Sequence, residues 1–204
     1  MSTKETTDKQ IRHELIAYLK KLHDISGHPE EILVIPEMDV NYGNNRIDIA
    51  TINGIMHGYE IKSDSDTLNR LPNQVNAYNK VFDKISLVVG ETHFYEALNI
   101  IPDWWGVILA KNISNSIYLY NIREAQNNNC QDSKAIAQLL WRNEAIELLH
   151  SIGQDKGIRS KNRRIISERL AKEINLVELA SHVRRLLLSR SDWRVGQLQL
   201  QYDD

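Results

Sequence analysis

The fold is decided by residues 46–62, which read RIDIATINGIMHGYEIK. Apolar and polar residues alternate on both sides of Asn53-Gly54, a pattern that predicts two antiparallel strands joined by a tight turn. With a two-residue turn Asp48 faces away from Glu60, whereas a three-residue loop with Gly54 in the left-handed conformation brings both carboxylates to one face. The hydrophobic pattern favours the three-residue loop. That loop gathers apolar side chains on one buried face (Ile47, Ile49, Ile55, Tyr59 and Ile61) and leaves the other face to Asp48, Gly58, Glu60 and Lys62.

Two carboxylates and a lysine on one sheet face suit a divalent metal that activates water for phosphodiester hydrolysis. Mg²⁺ or Mn²⁺ takes oxygen ligands, which Asp48, Glu60 and the backbone carbonyl of Ile61 would supply. Lys62 would orient the water or stabilise charge on the phosphate. The alternative is a surface hairpin with an ordinary Glu-Lys pair, because a bare Asp…Glu-x-Lys match is frequent by chance.

The order of strand, hairpin, helix and strand around Asp48 and Glu60-Ile61-Lys62 resembles the PD-(D/E)XK nuclease superfamily. Residues 60–83 look similar to one bacterial and phage-borne branch of it, known mainly by a locus-tag label. Ile47 departs from the proline in the superfamily's name. The similarity extends over nearly the whole chain, through Leu87-Val-Val-Gly90, Ile101-Pro-Asp-Trp-Trp-Gly106, Leu140-Trp-Arg-Asn-Glu144 and the basic C-terminal segment.

This resemblance implies a restriction-endonuclease-like α/β core, with a mixed central sheet flanked by helices. It also implies metal-dependent hydrolysis of DNA, the usual substrate of the superfamily. Glu14 would face the metal, because it lies on the apolar stripe of the first helix and matches a glutamate that related nucleases place there. Gln74 and Tyr78 lie four residues apart on a later helix, and a glutamine of that helix packs beside the catalytic residues in related nucleases. The alternatives are a solvent-facing Glu14 and a helix surface that only hydrogen-bonds the sheet.

Asp64 and Asp66 follow the hairpin in a polar loop. Although Asp64 has the parity to share the face of Glu60, the run of Ser, Asp and Thr before a helix favours capping, above all for Asp66. Glu37 and Asp39, on the preceding strand, are further acids near the predicted site.

The chain divides in composition after its predicted strands. We expect the nuclease-like core in residues 1–125 and, after an Asn-rich linker, a basic all-helical C-terminal extension in residues 132–195. The apolar periodicity predicts helices over residues 133–151, 163–173 and 176–189.

Charge is unevenly distributed along the chain. Residues 156–194 contain eleven basic and four acidic residues, although the whole chain has a net charge of −2. Such a segment is typical of a protein that binds the phosphate backbone. The alternative is a helical hairpin whose arginines pair with acids of the core. The residues favoured for nucleic-acid contact are Arg159, Lys161, Arg163 and Arg164, together with Tyr78.

A single cysteine, Cys130, excludes an intramolecular disulfide and fits a reducing compartment. With no apolar run near ~20 residues and no hydrophobic signal core, the expected location is the cytoplasm. Two other functions stay open: a non-cleaving DNA-binding or interaction module on a nuclease fold, and a toxin or defence effector regulated by a protein partner. A homodimer is open too, since cutting both strands of a duplex would favour one.

Overall fold

The computed structural model describes residues 3–26 and 32–190. The chain forms two compact units, Met1–Gln131 and Asp132–Asp204. In the first unit seven strands form one sheet in the order β1-β6-β5-β4-β3-β2, and β7 also pairs with β6. The strands are β1 (Thr3–Lys4), β2 (Leu33–Val40), β3 (Asn45–Asn53), β4 (Ile55–Lys62), β5 (Lys84–Gly90), β6 (Gly106–Ile113) and β7 (Ser116–Arg123).

The sheet is mixed, because β4, β5 and β6 run parallel while the other pairs are antiparallel. This confirms the predicted α/β class with a mixed central sheet. Three helices of the first unit accompany it: α1 (Asp8–Ser26), α2 (Leu71–Tyr78) and α3 (Phe94–Leu98). Helix α1 buries an apolar stripe against one face of the sheet, in a core cluster of Ile11, Leu15, Leu19, Val34, Ile49, Tyr59, Ile61, Val88, Ile108 and Ala110.

The predicted register of the β3–β4 hairpin is confirmed. Ile52 pairs with Met56, and Gly54 has a φ of +70°, as the three-residue loop requires. Two details of the predicted buried face were wrong. Ile55 is 40% exposed because it lies at the tip of the hairpin. Ile47 is buried beside Gly58 on the other face, where a Cβ on Gly58 would come within 2.4 Å of Ile47 Cδ1.

The described part of the second unit is helical, with α4 (Ser133–Ala137), α5 (Arg142–Ser151), α6 (Arg163–Glu173) and α7 (Leu176–Ser189). The prediction of a single helix over residues 133–151 was wrong. The chain breaks after α4 and restarts at Trp141, whose backbone N–H donates to the Glu144 carboxylate at 2.7 Å. The Asn162 side chain accepts the backbone N–H of the third residue of α6, and the Asn175 side chain does the same for α7. These contacts stabilise the start of each helix.

Candidate functional sites

A polar cleft of about 560 Å³ opens beside the hairpin in the first unit. Strand β4 contributes Glu60, Ile61 and Lys62, and β3 contributes Asp48. The structure therefore brings five predicted residues together at one site, these four and Gln74 of α2. The remaining lining residues are Asp8, Glu37, Gly43, Asn44, Asn45, Arg46, Asp66, Arg70 and Asn73.

Glu60 is the buried centre of this cleft, with 1% of its surface exposed. Its carboxylate accepts hydrogen bonds from Lys62 Nζ, from Gln74 Nε2 at 2.5 Å and from the Tyr78 hydroxyl at 3.0 Å. Burial, and then the charge of Asp48, raises the pKa of Glu60 to about 7. Lys62 is buried too, so the pair is held in a low-dielectric environment.

Asp48 is held by donors of the protein itself. It accepts the Ile61 backbone N–H at 2.7 Å, beyond the last backbone pair of the hairpin, Ile49 with Tyr59. Its other oxygen accepts Arg12 Nη2 at 2.7 Å. Burial raises the pKa of Asp48, against the lowering effects of these two donors.

Arg12 is the functional-site residue that sequence reasoning missed. Its guanidinium also contacts Asp8 at 3.1 Å and Glu37 at 2.7 Å, so one internal cation pairs with three carboxylates. Glu14 is not among the residues that line the cleft; helix α1 contributes Asp8 to the lining instead, and its Arg12 contacts Asp48. The spacing of Asp8 and Arg12, one helical turn apart, was the available signal.

The two carboxylates of the polar loop after the hairpin have structural partners. Asp64 accepts the Thr6 backbone N–H and hydroxyl and the Thr92 N–H, each at 2.8 Å. Asp66 accepts the Ser63 N–H at 2.8 Å. Capping of α2 by Asp66 was wrong, since the N-cap of that helix is Arg70.

Among the described residues, no group of three or more His, Cys, Asp or Glu side chains is arranged to hold a metal ion. Asp48 and Glu60 carry the hard oxygens that Mg²⁺ prefers, but here they accept protein donors. Metal binding by Asp48 and Glu60 stays a prediction, which titration of the protein with Mg²⁺ or Mn²⁺ would test.

In the second unit, exposed cations lie in a segment of nine residues that ends at the second residue of α6. We call Lys156–Arg164 the basic loop; its exposed cations are Lys156, Arg159, Lys161 and Arg164. Arg159 is 77% exposed and lies 3.9 Å from Asp155. The side chains of the other three make no hydrogen bond or ion pair with a described residue.

The conformation of the basic loop is fixed by two further arginines. Arg142 donates to the carbonyl oxygens of Arg159 and Lys161. Arg163, predicted as a nucleic-acid contact, donates instead to the carbonyls of Gln138 and Leu140, at 2.9 and 2.8 Å. The structure therefore gives Arg163 a role in positioning the loop. Arg194, counted in the basic segment, lies outside the described residues.

Comparison with known proteins identifies the family of the chain. The family model described as Bacteriophage P4 protein cII matches residues 1–197. The chain belongs to this family. A curated relative, Protein cII of Enterobacteria phage P4, is 25% identical over 146 residues, which cover 72% of this chain and 54% of the relative. The chain thus spans about half the length of that relative. No solved structure matches.

Membership in the cII family corrects the central inference from sequence. Assignment to the PD-(D/E)XK superfamily was wrong, because the matches are to protein cII and not to a nuclease family. The predicted metal-dependent nuclease activity was wrong with it. None of the described helices is long and apolar enough to cross a membrane.

Proposed function

We propose that this member of the cII family binds DNA without cutting it, and that the basic loop of its helical unit is the contact surface. The observation that carries the proposal is the exposure of Lys156, Arg159, Lys161 and Arg164 within nine residues. Duplex DNA presents one negative charge per ~1.7 Å of helix axis, so closely spaced cations can contact several phosphates.

The internal hydrogen bonds of the loop support this proposal. Arg142 donates to two carbonyls of its backbone, and Arg163 ties its end to the carbonyls of Gln138 and Leu140, so little conformational entropy is lost when the loop binds. The loop also leads into the N-terminus of the 11-residue helix α6, where the helix dipole favours an anion.

The composition of the loop favours the phosphate backbone over unpaired bases. No aromatic residue occurs in residues 152–175, whereas proteins that bind single strands stack bases on aromatic side chains. Trp141 is 45% exposed, but its ring is covered by the Arg190 guanidinium at 4.3 Å. Duplex DNA is therefore the ligand to test first.

The test compares two double variants that each remove two exposed lysine or arginine charges. Fluorescence anisotropy of a labelled duplex measures affinity for Lys161→Ala/Arg164→Ala and for the control Lys20→Ala/Lys21→Ala, on the exposed surface of α1. At about 100 mM salt we expect the loop variant to bind at least ~10-fold more weakly than wild type. The control is expected to bind within about twofold of wild type. Equal losses in both variants would contradict the proposal.

A further inference from the structure

Strand β7 is an edge strand whose outer side has no partner strand in the described part of the chain. It pairs with β6 only. Its sequence, SIYLYNIR, has no proline or glycine and no charge before Arg123. Natural proteins usually block an edge of this length with charges, proline or a bulge; in β7 the pairing register with β6 shifts only at the end of the strand, around Ile122. This open row of backbone donors and acceptors is suited to pairing with another strand.

The outward face of β7 carries three large side chains in alternation. Tyr118 is 48% exposed, Tyr120 43% and Ile122 52%. The intervening residues Ile117 and Leu119 pack against the core cluster under α1. One face of the strand therefore contributes to the core of the unit, and the other leaves an apolar stripe in solvent, a common feature of interaction surfaces.

The order of side chains along β7 fits a second copy of the same strand. In an antiparallel pair centred on Tyr120, Tyr120 lies opposite its symmetry mate and Tyr118 lies opposite Ile122. Such cross-strand aromatic and aromatic–β-branched pairs stabilise a sheet by about 0.2–1 kcal/mol each. A twofold contact of this kind is self-complementary and closes at two copies.

The charges at the two ends of β7 are complementary in the same register. Lys4 Nζ donates to Asn115 Oδ1 at 2.9 Å, just before the strand begins. Exposed Glu124 lies just after it. Antiparallel pairing about Tyr120 sets Ser116 of one copy against Glu124 of the other, so the lysine end meets the glutamate end. Arg123 is held at its own unit by the carbonyl of Trp105, at 2.7 Å.

The composition of β7 disfavours nucleic acid as the occupant of this face. The strand has no charged residue before Arg123, and Arg123 donates to the Trp105 carbonyl of its own unit, so β7 itself offers no cation positioned for a phosphate backbone. We propose that β7 pairs antiparallel with β7 of a second copy of this chain, joining the two sheets about a twofold axis through Tyr120. This inference is independent of DNA binding.

Site-directed cross-linking tests the register. In a Cys130→Ser background, Tyr120→Cys is expected to form an intermolecular disulfide on mild oxidation, because directly opposed Cβ atoms lie about 4.5–5.5 Å apart. Tyr118→Cys alone is expected to remain uncross-linked, since its symmetry mate is four residues away along the strand, roughly 13 Å. Combining Tyr118→Cys with Ile122→Cys is expected to restore the cross-link. Equal cross-linking of the two single variants would overturn the proposal.

Sedimentation across a range of concentrations tests the association without a covalent bond. Wild type is expected to dimerise, and Tyr120→Lys to be monomeric, because two lysines would meet at the twofold axis. The control Val177→Lys changes a residue of α7 that is 76% exposed and is expected to leave the dimer intact. Thermal unfolding checks that both variants are folded. A wild type that is monomeric at all concentrations, or a folded Tyr120→Lys variant that still dimerises, would refute the pairing.

Discussion

At the scale of single residues, Glu60 and Lys62 explain both the appeal and the failure of the nuclease prediction. Their spacing correctly placed them in one cleft with Asp48. The sequence did not reveal Arg12, which reaches Asp48 from a helix 36 positions earlier. A local sequence pattern does not reveal such a long-range contact. Carboxylates that pair with cations of the protein also show the same sequence pattern as carboxylates that bind a metal.

The buried pair makes Lys62 important for stability. Lys62→Ala is expected to lower the free energy of unfolding by about 3–5 kcal/mol, because it leaves the Glu60 carboxylate buried without its cation. Lys111→Ala, in the partly exposed pair with Glu91, is the matched control and is expected to lose much less stability, because this pair is in contact with solvent. Urea denaturation measures both; similar losses would show that the Glu60–Lys62 pair is not buried as described.

The raised pKa of Glu60 predicts a pH dependence of stability. Folding raises this pKa from 4.5 to about 7, so the folded state binds a proton that the unfolded state releases. The resulting stability is fully present below pH 4.5 and is lost as the pH rises through about 7. Urea denaturation of wild type across this range should show a fall in the free energy of unfolding that is smaller in Glu60→Gln. Parallel profiles for the two proteins would refute the assignment.

At the scale of elements, the apolar periodicity of the sequence predicted the bounds of two helices, whereas individual contacts between residues were not predicted. The bounds of α6 and α7 agree with the predicted residues 163–173 and 176–189, because two asparagine caps and an apolar stripe mark them locally. The single helix predicted over residues 133–151 failed, since the restart at Trp141 depends on one backbone contact to Glu144. Burial of Ile47 beside Gly58 was likewise set by packing and not by strand parity.

The hairpin loop provides a direct test at this scale. Gly54 has a φ of +70° and no atom within 4 Å of a built Cβ. Gly54→Ala is therefore expected to cost about 1–2 kcal/mol from backbone conformation alone. Gly54→Asn should cost less, because asparagine tolerates the left-handed region. Thermal unfolding compares them; an alanine variant as stable as wild type would contradict the three-residue loop.

At the scale of the whole molecule, the two units differ in charge. Residues 1–131 have an acidic excess, and residues 132–204 contain 13 basic and 10 acidic residues. The sequence indicated this asymmetry and the positive segment. It did not distinguish the four exposed loop cations from Arg142 and Arg163, which the structure uses to hold the loop.

In the most direct measurement, an end-labelled duplex is incubated with the protein and Mg²⁺. Both the binding and the length of the DNA are recorded in the same samples. We predict that the protein binds the DNA at low salt and releases it as the salt concentration rises. The reason is that lysine and arginine side chains displace counterions from the phosphate backbone, and added salt opposes this displacement. The recovered DNA should have its full length after incubation with Mg²⁺ or with EDTA. DNA shortened only in the presence of Mg²⁺, or no binding even at low salt, would contradict the proposal of a DNA-binding protein that does not cut.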